Sequence, residues 1–140
     1  MTASIERIFE IPAPPEDVWK TIADPEKRAR PISVVTEFET TGDRTAVWYV
    51  SLPIPGLNQT IQVETEDLEI DEPTYVRFVG RSKAMTVRGE HLLETTETGT
   101  EITNRFRVNG RIPGVETYFK RKLDDELANL EAAIREELGV

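Results

Sequence analysis

The stretch PGVETYFKRKLDDELANLEAAIREEL, residues 113–138, predicts one long amphipathic helix near the end of the chain. Apolar side chains recur in it every three or four residues, so they share one face of the helix. They are Val115, Phe119, Leu123, Leu127, Leu130, Ile134 and Leu138. Charged side chains such as Lys120 and Asp124 lie off that face. A helix with such a stripe needs an apolar surface to cover, which the rest of the chain must supply.

That surface is predicted by the middle of the chain, where the apolar period changes to two, as is typical of strands. The predicted strands are residues 4–11, 34–40, 45–52, 60–70, 74–80, 85–95 and 100–109. Short turns rich in Gly, Asp, Pro and Thr separate most of them, which favours an antiparallel meander of sequence neighbours.

Two short helices are predicted between the first and second strands. Residues 12–15, PAPP, end the strand and open a helix over residues 15–23. Asp24 then acts as an N-cap for a second helix that ends near residue 30. We therefore expect an α+β helix-grip fold, with a curved seven-stranded antiparallel sheet around the long C-terminal helix, in one domain covering residues 1–140. Because one helix cannot fill such a curved face, we expect a cavity that binds a small molecule.

Composition excludes several classes of function. The chain has 17 Lys plus Arg against 26 Asp plus Glu, and its net charge of −9 argues against binding nucleic acid or anionic membrane surfaces. This acidity fits either a high-salt cytoplasm or an ordinary acidic protein. The chain has no cysteine and one histidine, which excludes disulfides, thiolate nucleophiles and His-rich metal sites. No secretory signal or long apolar run is present, so we expect a cytoplasmic protein without integral membrane association.

Three segments carry a family resemblance: IPAPPEDVW at residues 11–19, IADPE at residues 22–26 and ELANLE at residues 126–131. Together with the order of elements, they resemble the START/Bet v 1-like (SRPBCC) superfamily, near its polyketide cyclase/dehydrase and lipid-transport branch. The resemblance implies a helix-grip fold over essentially the full chain. It does not single out a ligand or a reaction, because the superfamily spans carriers, cyclases, hydrolases and co-chaperones.

A polar pair is predicted on the inner face of the last hairpin. A turn near residues 96–99 pairs residues whose numbers sum to about 195, which places His91 opposite Asn104 and Gly89 opposite Phe106. Because unpartnered buried polar groups cost about 1–3 kcal/mol, His91 and Asn104 must bond each other, a ligand or a water. A structural His–Asn bond, an orienting site for a ligand and a general base all stay open.

The expected ligand-binding residues are those that alternation turns inward, together with the start of the long helix. They are Trp48, Val50, Phe78, Met85, Val87, His91, Asn104, Phe106, Tyr118 and Phe119. His91 and Tyr118 are also the candidates for proton transfer in an enzyme. For the aromatic members, plain core packing is the alternative.

The loop LPIPGL, residues 52–57, is unusually apolar. Its Leu52, Ile54, Gly56 and Leu57 predict a lid hinged at the glycine, a dimer contact, or a loop folded onto the chain's own surface.

The acidic run over residues 64–72 lacks the glycine-bearing loop of a dedicated cation site, so we expect a solvated strand face. Its members are Glu64, Glu66, Asp67, Glu69, Asp71 and Glu72. We expect neither a metal nor a cofactor.

The sequence therefore favours a noncatalytic binding protein for a lipid, isoprenoid or polyketide-like compound, as a monomer or weak homodimer. A polyketide cyclase or dehydratase using the same cavity is one alternative. A protein-interaction or maturation module, similar to the superfamily branches of the co-chaperones and of carbon monoxide dehydrogenase, is the other.

Overall fold

The computed structural model describes residues 2–140 and contains seven strands and three helices in that range. In chain order they are β1 (Ala3–Ile11), α1 (Pro15–Ile22), α2 (Pro25–Ala29), β2 (Val35–Thr40), β3 (Thr45–Val50), β4 (Ile61–Asp71), β5 (Tyr75–Arg81), β6 (Met85–Thr95), β7 (Thr100–Gly110) and α3 (Val115–Leu138). The helix-grip fold is confirmed. No helix in this range is long and apolar enough to cross a membrane.

The strands form one antiparallel sheet in the order β1-β7-β6-β5-β4-β3-β2. The meander from β2 to β7 follows the sequence, as predicted. β1 pairs with β7, a neighbour that local patterns could not reveal. β1 and β2 are therefore the two edge strands, and the segment that carries α1 and α2 connects one edge of the sheet to the other.

The register between β6 and β7 decides which side chains meet on the inner face. His91 pairs with Asn104 and Gly89 pairs with Phe106, as the hairpin register predicts. Gly89 has a steric role, because a Cβ at this position would lie 2.5 Å from Cε1 of Phe78. The missing side chain lets the Phe78 ring lie against the backbone of β6.

α3 lies across the inner face and packs chiefly on β1 and β7. Its apolar stripe is buried from Val115 to Ile134, as predicted. Arg7 of β1 also points toward the helix and forms ion pairs with Asp124 at 3.1 Å and Glu131 at 3.6 Å. The helix ends at Gly139, whose φ of 70° is the left-handed conformation of a C-cap.

The packing of α3 predicts the effect of shortening its stripe. Ile134 is fully buried and lies outside the cavities described below. We expect Ile134→Ala to lower the free energy of unfolding by about 2–5 kcal/mol, because it leaves a void in the core. Urea denaturation measures the change. The exposed Lys122→Ala on the same helix is the control and should stay within about 0.5 kcal/mol; equal effects would contradict the packing.

Candidate ligand-binding site

A hydrogen bond joins the two polar residues that the sequence places inside the sheet. His91 and Asn104 are 1% and 0% exposed, and Nδ1 of His91 lies 2.7 Å from Oδ1 of Asn104. The amide nitrogen of Asn104 donates to the carbonyl of Arg7 at 3.0 Å, which makes Oδ1 the acceptor for an Nδ1–H. Nε2 of His91 is then a bare acceptor, and it has no partner among residues 2–140.

The environment of His91 keeps its imidazole neutral. Burial, followed by the positive charge of Arg28, lowers the pKa of His91 to about 4 against the opposing effect of the Asn104 hydrogen bond. A neutral ring with its proton on Nδ1 presents one lone pair at Nε2. Near pH 7 this side chain therefore accepts a hydrogen bond and carries no charge.

Sequence patterns did not reveal a second buried pair. Nη2 of Arg28, on α2, donates to Oδ1 of Asp67, on β4, at 2.7 Å. The two side chains are 5% and 6% exposed. The guanidinium also lies over the ring of Phe78, 5.0 Å from its centroid. Its Nε and Nη1 have no partner in the described part of the chain.

The expectation that Asp67 belongs to a solvated strand face is wrong. Strand alternation places Ile61, Val63, Thr65 and Asp67 on the inner face, and all four are buried. Asp67 is tolerated there because Arg28 neutralises it. The other acids of the run are exposed, as expected. Residues 2–140 contain no cluster of acidic or histidine side chains suited to a metal ion.

Aromatic rings surround this polar cluster. The Phe78 ring stacks on His91 with centroids 6.3 Å apart and lies 5.9 Å from Trp48. Phe106 meets the rings of Phe78 and His91 edge-on, at 5.7 Å from each. The indole nitrogen of Trp48 is buried without a partner among the residues that the structure describes. Three side chains, Arg28, Trp48 and His91, therefore present unpartnered polar atoms within an aromatic wall.

Two small cavities adjoin this wall. One is apolar, measures about 30 Å³ and is lined by six of the predicted ligand-binding residues, Trp48, Val50, Met85, Val87, Phe106 and Phe119. The other measures about 10 Å³ and is lined by Arg28, Trp48, Phe78, His91, Phe106 and Glu126, among others. Ile32, Trp48, Phe106 and Glu126 line both, so the two cavities are adjacent and the smaller one is the polar end of the pair.

Two predicted site residues do not line this space. Asn104 acts behind it by holding His91. Tyr118 is half-buried at the start of α3, and burial together with the nearby Glu126 carboxylate raises the pKa of its hydroxyl. The sequence did not point to Arg28, on a short helix, to Glu126, on the polar side of α3, or to the segment over residues 31–34. It also did not assign to the site the lining residues Val35, Val108, Leu123, Leu127 and Leu130.

The segment over residues 31–34 closes the apolar cavity against α3. Ile32 and Val34 line the cavity. Between them, the backbone N–H and the hydroxyl of Ser33 both donate to the carboxylate of Glu126 at 2.8 Å. We call these two bonds the Ser33–Glu126 latch. Together with the side-chain amide of Asn129, which donates to the same carboxylate at 3.3 Å, they satisfy this buried group.

The apolar loop over residues 52–57 lies elsewhere, at the start of α3. Leu52 is buried, and Ile54 and Leu57 are half-buried. A side chain at Gly114 would come within 3.0 Å of Cγ2 of Ile54, so the loop packs close to that turn. Gly56 is exposed with a φ of 85°. None of these residues lines the two cavities, and the lid role stays a prediction.

The Arg28–Asp67 pair predicts a specific mutational cycle. Asp67→Asn leaves a buried guanidinium without its counter-charge and should lower the free energy of unfolding by about 3–5 kcal/mol. The double change Arg28→Met/Asp67→Val removes both charges and should recover most of that loss. Denaturation in urea measures both. Glu69→Gln, which breaks the exposed pair with Arg77, is the control and should cost under about 1 kcal/mol. A cost for Asp67→Asn as small as that of Glu69→Gln would contradict the burial of the Arg28–Asp67 pair.

The neutral state of His91 predicts a pH dependence of stability. The pKa is about 4 in the folded chain and 6.5 in the unfolded chain, so the unfolded state binds more protons between these values. The contribution of His91 to the free energy of unfolding is fully present above pH 6.5. It is lost as the pH drops toward 4, by about 3 kcal/mol in total. We expect His91→Gln, which does not titrate, to lose this component. Parallel free energy curves for the two proteins between pH 7 and pH 4 would contradict a buried neutral His91.

Comparisons with known proteins agree with this geometry at the level of the fold. An aromatase/cyclase from Streptomyces sp. R1128 has a TM-score of 0.69 at 15% identity, over 96% of this chain and 95% of that one. A START superfamily protein from Mycobacterium smegmatis has a TM-score of 0.72 at 11% identity, over 96% and 95%. A protein from Thermus thermophilus has a TM-score of 0.70 at 20% identity, over 96% and 97%.

The sequence profile of one family also matches nearly the whole chain. In the comparison with curated protein sequences, none matches this chain. The profile described as polyketide cyclase / dehydrase and lipid transport matches residues 2–135. This match confirms the family resemblance drawn from the residues, and the chain belongs to the polyketide cyclase / dehydrase and lipid transport family.

Proposed function

We propose that this chain binds a small hydrophobic molecule between the sheet and α3, with one end of the molecule at the polar cluster. One observation carries the proposal. Arg28, Trp48 and His91 each bury a polar atom that has no partner within residues 2–140, and all three line one cavity. Each such atom costs about 1–3 kcal/mol when left unsatisfied. A ligand that supplies the missing partners offsets that cost.

Binding requires the cavity to widen. The apolar part measures about 30 Å³, whereas sites for small organic ligands span about 300–1,000 Å³. The segment over residues 31–34 is the element best placed to move, because Ile32 and Val34 cover the cavity and the Ser33–Glu126 latch holds them. When the latch opens, water can form hydrogen bonds with Ser33 and Glu126 in place of the two bonds between them. Opening therefore has only a small free-energy cost. The ligand then replaces Ile32 and Val34 against the inner face.

The ligand class follows from the lining of the apolar cavity. Its walls are chiefly aliphatic and aromatic, and they suit the body of a lipid, an isoprenoid or a polyketide-like compound. The family description, which names both cyclases and lipid transport, supports the same range.

The cyclase or dehydratase alternative needs a group that transfers protons. A general base works best with a pKa near the operating pH, whereas the pKa of His91 is about 4. The pKa of Tyr118 is raised by burial, which weakens it as an acid. Both properties favour a role for His91 in orienting a ligand. The interaction-module alternative relied on an exposed apolar loop, and Leu52 of that loop is buried.

The proposal predicts binding of a neutral hydrophobic fluorophore. We expect N-phenyl-1-naphthylamine to bind saturably with a rise in fluorescence and to raise the melting temperature, because it binds the folded state. Val87→Phe places a ring in the apolar cavity and should weaken the binding at least tenfold.

Val79→Phe is the matched control. Val79 is equally buried in the same sheet but pairs with Arg88, on the face away from α3. Its binding should equal that of the unmodified chain, provided that circular dichroism shows both variants folded. Equal weakening by the two variants, or no saturable binding to the unmodified chain, would contradict the proposed site.

A further inference from the structure

We infer that the polar end of the cavity selects a ligand with a single neutral hydroxyl group, an alcohol, phenol or enol, and discriminates against carboxylates, ethers and plain hydrocarbons. The inference rests on the proposed function. It concerns the three unpartnered groups of Arg28, Trp48 and His91, which line the cavity of about 10 Å³.

The hydrogen-bonding groups at this end are of two kinds. Arg28 has free N–H donors at Nε and Nη1, and Trp48 has one at Nε1. His91 offers an acceptor, because Asn104 binds its Nδ1–H and leaves the lone pair of Nε2 free. A hydroxyl oxygen accepts from the donors while its proton goes to Nε2. A carbonyl or ether oxygen accepts only, and leaves Nε2 unsatisfied.

The charges around this end favour a neutral group. The guanidinium of Arg28 is already paired with Asp67 at 2.7 Å. The carboxylate of Glu126 lines the same cavity, and His91 is uncharged near pH 7. The four side chains therefore sum to a single negative charge. A ligand carboxylate would add a second one in a desolvated place, and a ligand ammonium could not accept from Arg28 and Trp48.

Four probes that share one ring skeleton test the inference. They are 2-naphthol, 2-methoxynaphthalene, naphthalene and 2-naphthoate, titrated at pH 7 into the full chain by calorimetry. We expect 2-naphthol to bind at least tenfold more tightly than 2-methoxynaphthalene and naphthalene, and 2-naphthoate to bind most weakly. Trp48→Phe removes one donor and should weaken 2-naphthol about fivefold or more while leaving naphthalene nearly unchanged.

Trp19→Phe is the matched control, because Trp19 is a buried indole on α1 that does not line either cavity. Trp19→Phe should leave the binding of both 2-naphthol and naphthalene unchanged. Equal affinities for 2-naphthol and naphthalene would overturn the hydroxyl selection while leaving the proposed function intact. The tightest binding by 2-naphthoate, or an equal loss for both probes in Trp48→Phe, would also overturn it. Failure of all four probes to bind would overturn the proposed function itself.

Discussion

One helix has to cover the inner face of seven strands, and this geometric constraint underlies the rest of the structure. α3 lies chiefly on β1 and β7, at one side of the sheet. The strands toward β2 need other cover, which α2 and the segment over residues 31–34 provide. The apolar cavity lies between these two covers and is lined by Ile32 and Val34 from one and by Phe119 and Leu123 from the other.

The inner face also carries polar groups, which a core built only for stability would not need. His91–Asn104 and Arg28–Asp67 each satisfy part of their own hydrogen-bonding capacity. Replacing a buried ion pair by apolar side chains of similar volume is often neutral or stabilising. The retained pairs fix the positions of the remaining donors and acceptor at one end of an apolar space.

Much of the fold, and one polar pair of the candidate site, could be predicted from local patterns in the sequence. A period of two gave the strands, the stripe from Val115 to Ile134 gave α3, and the turn after Thr95 gave the register that joins His91 to Asn104. These features depend on neighbours in the chain, so periodicity records them.

The remaining features depend on contacts between distant segments. Arg28 is buried only because α2 packs over Phe78 and Asp67, 39 residues further along the chain. Glu126 was hidden in the polar side of a helix, and its partner Ser33 lies in a loop 93 residues away. Alternation from Ile61 could have placed Asp67 inside, but the surrounding acids made a solvated face the simpler interpretation. Cavity volume depends on the fit of side chains from all these elements, which a sequence pattern does not encode.

The unpartnered Nε2 of His91, a residue that lines the cavity, tests most directly whether the cavity binds a hydroxyl group. Nuclear magnetic resonance of chain labelled with ¹⁵N at histidine resolves Nδ1 from Nε2, and the single histidine makes the assignment unambiguous. When 2-naphthol is added at pH 7, we expect the Nε2 resonance to shift toward that of a hydrogen-bonded acceptor, while Nδ1 stays protonated and bound to Asn104. An unchanged Nε2 resonance at saturating 2-naphthol would contradict hydroxyl binding at His91.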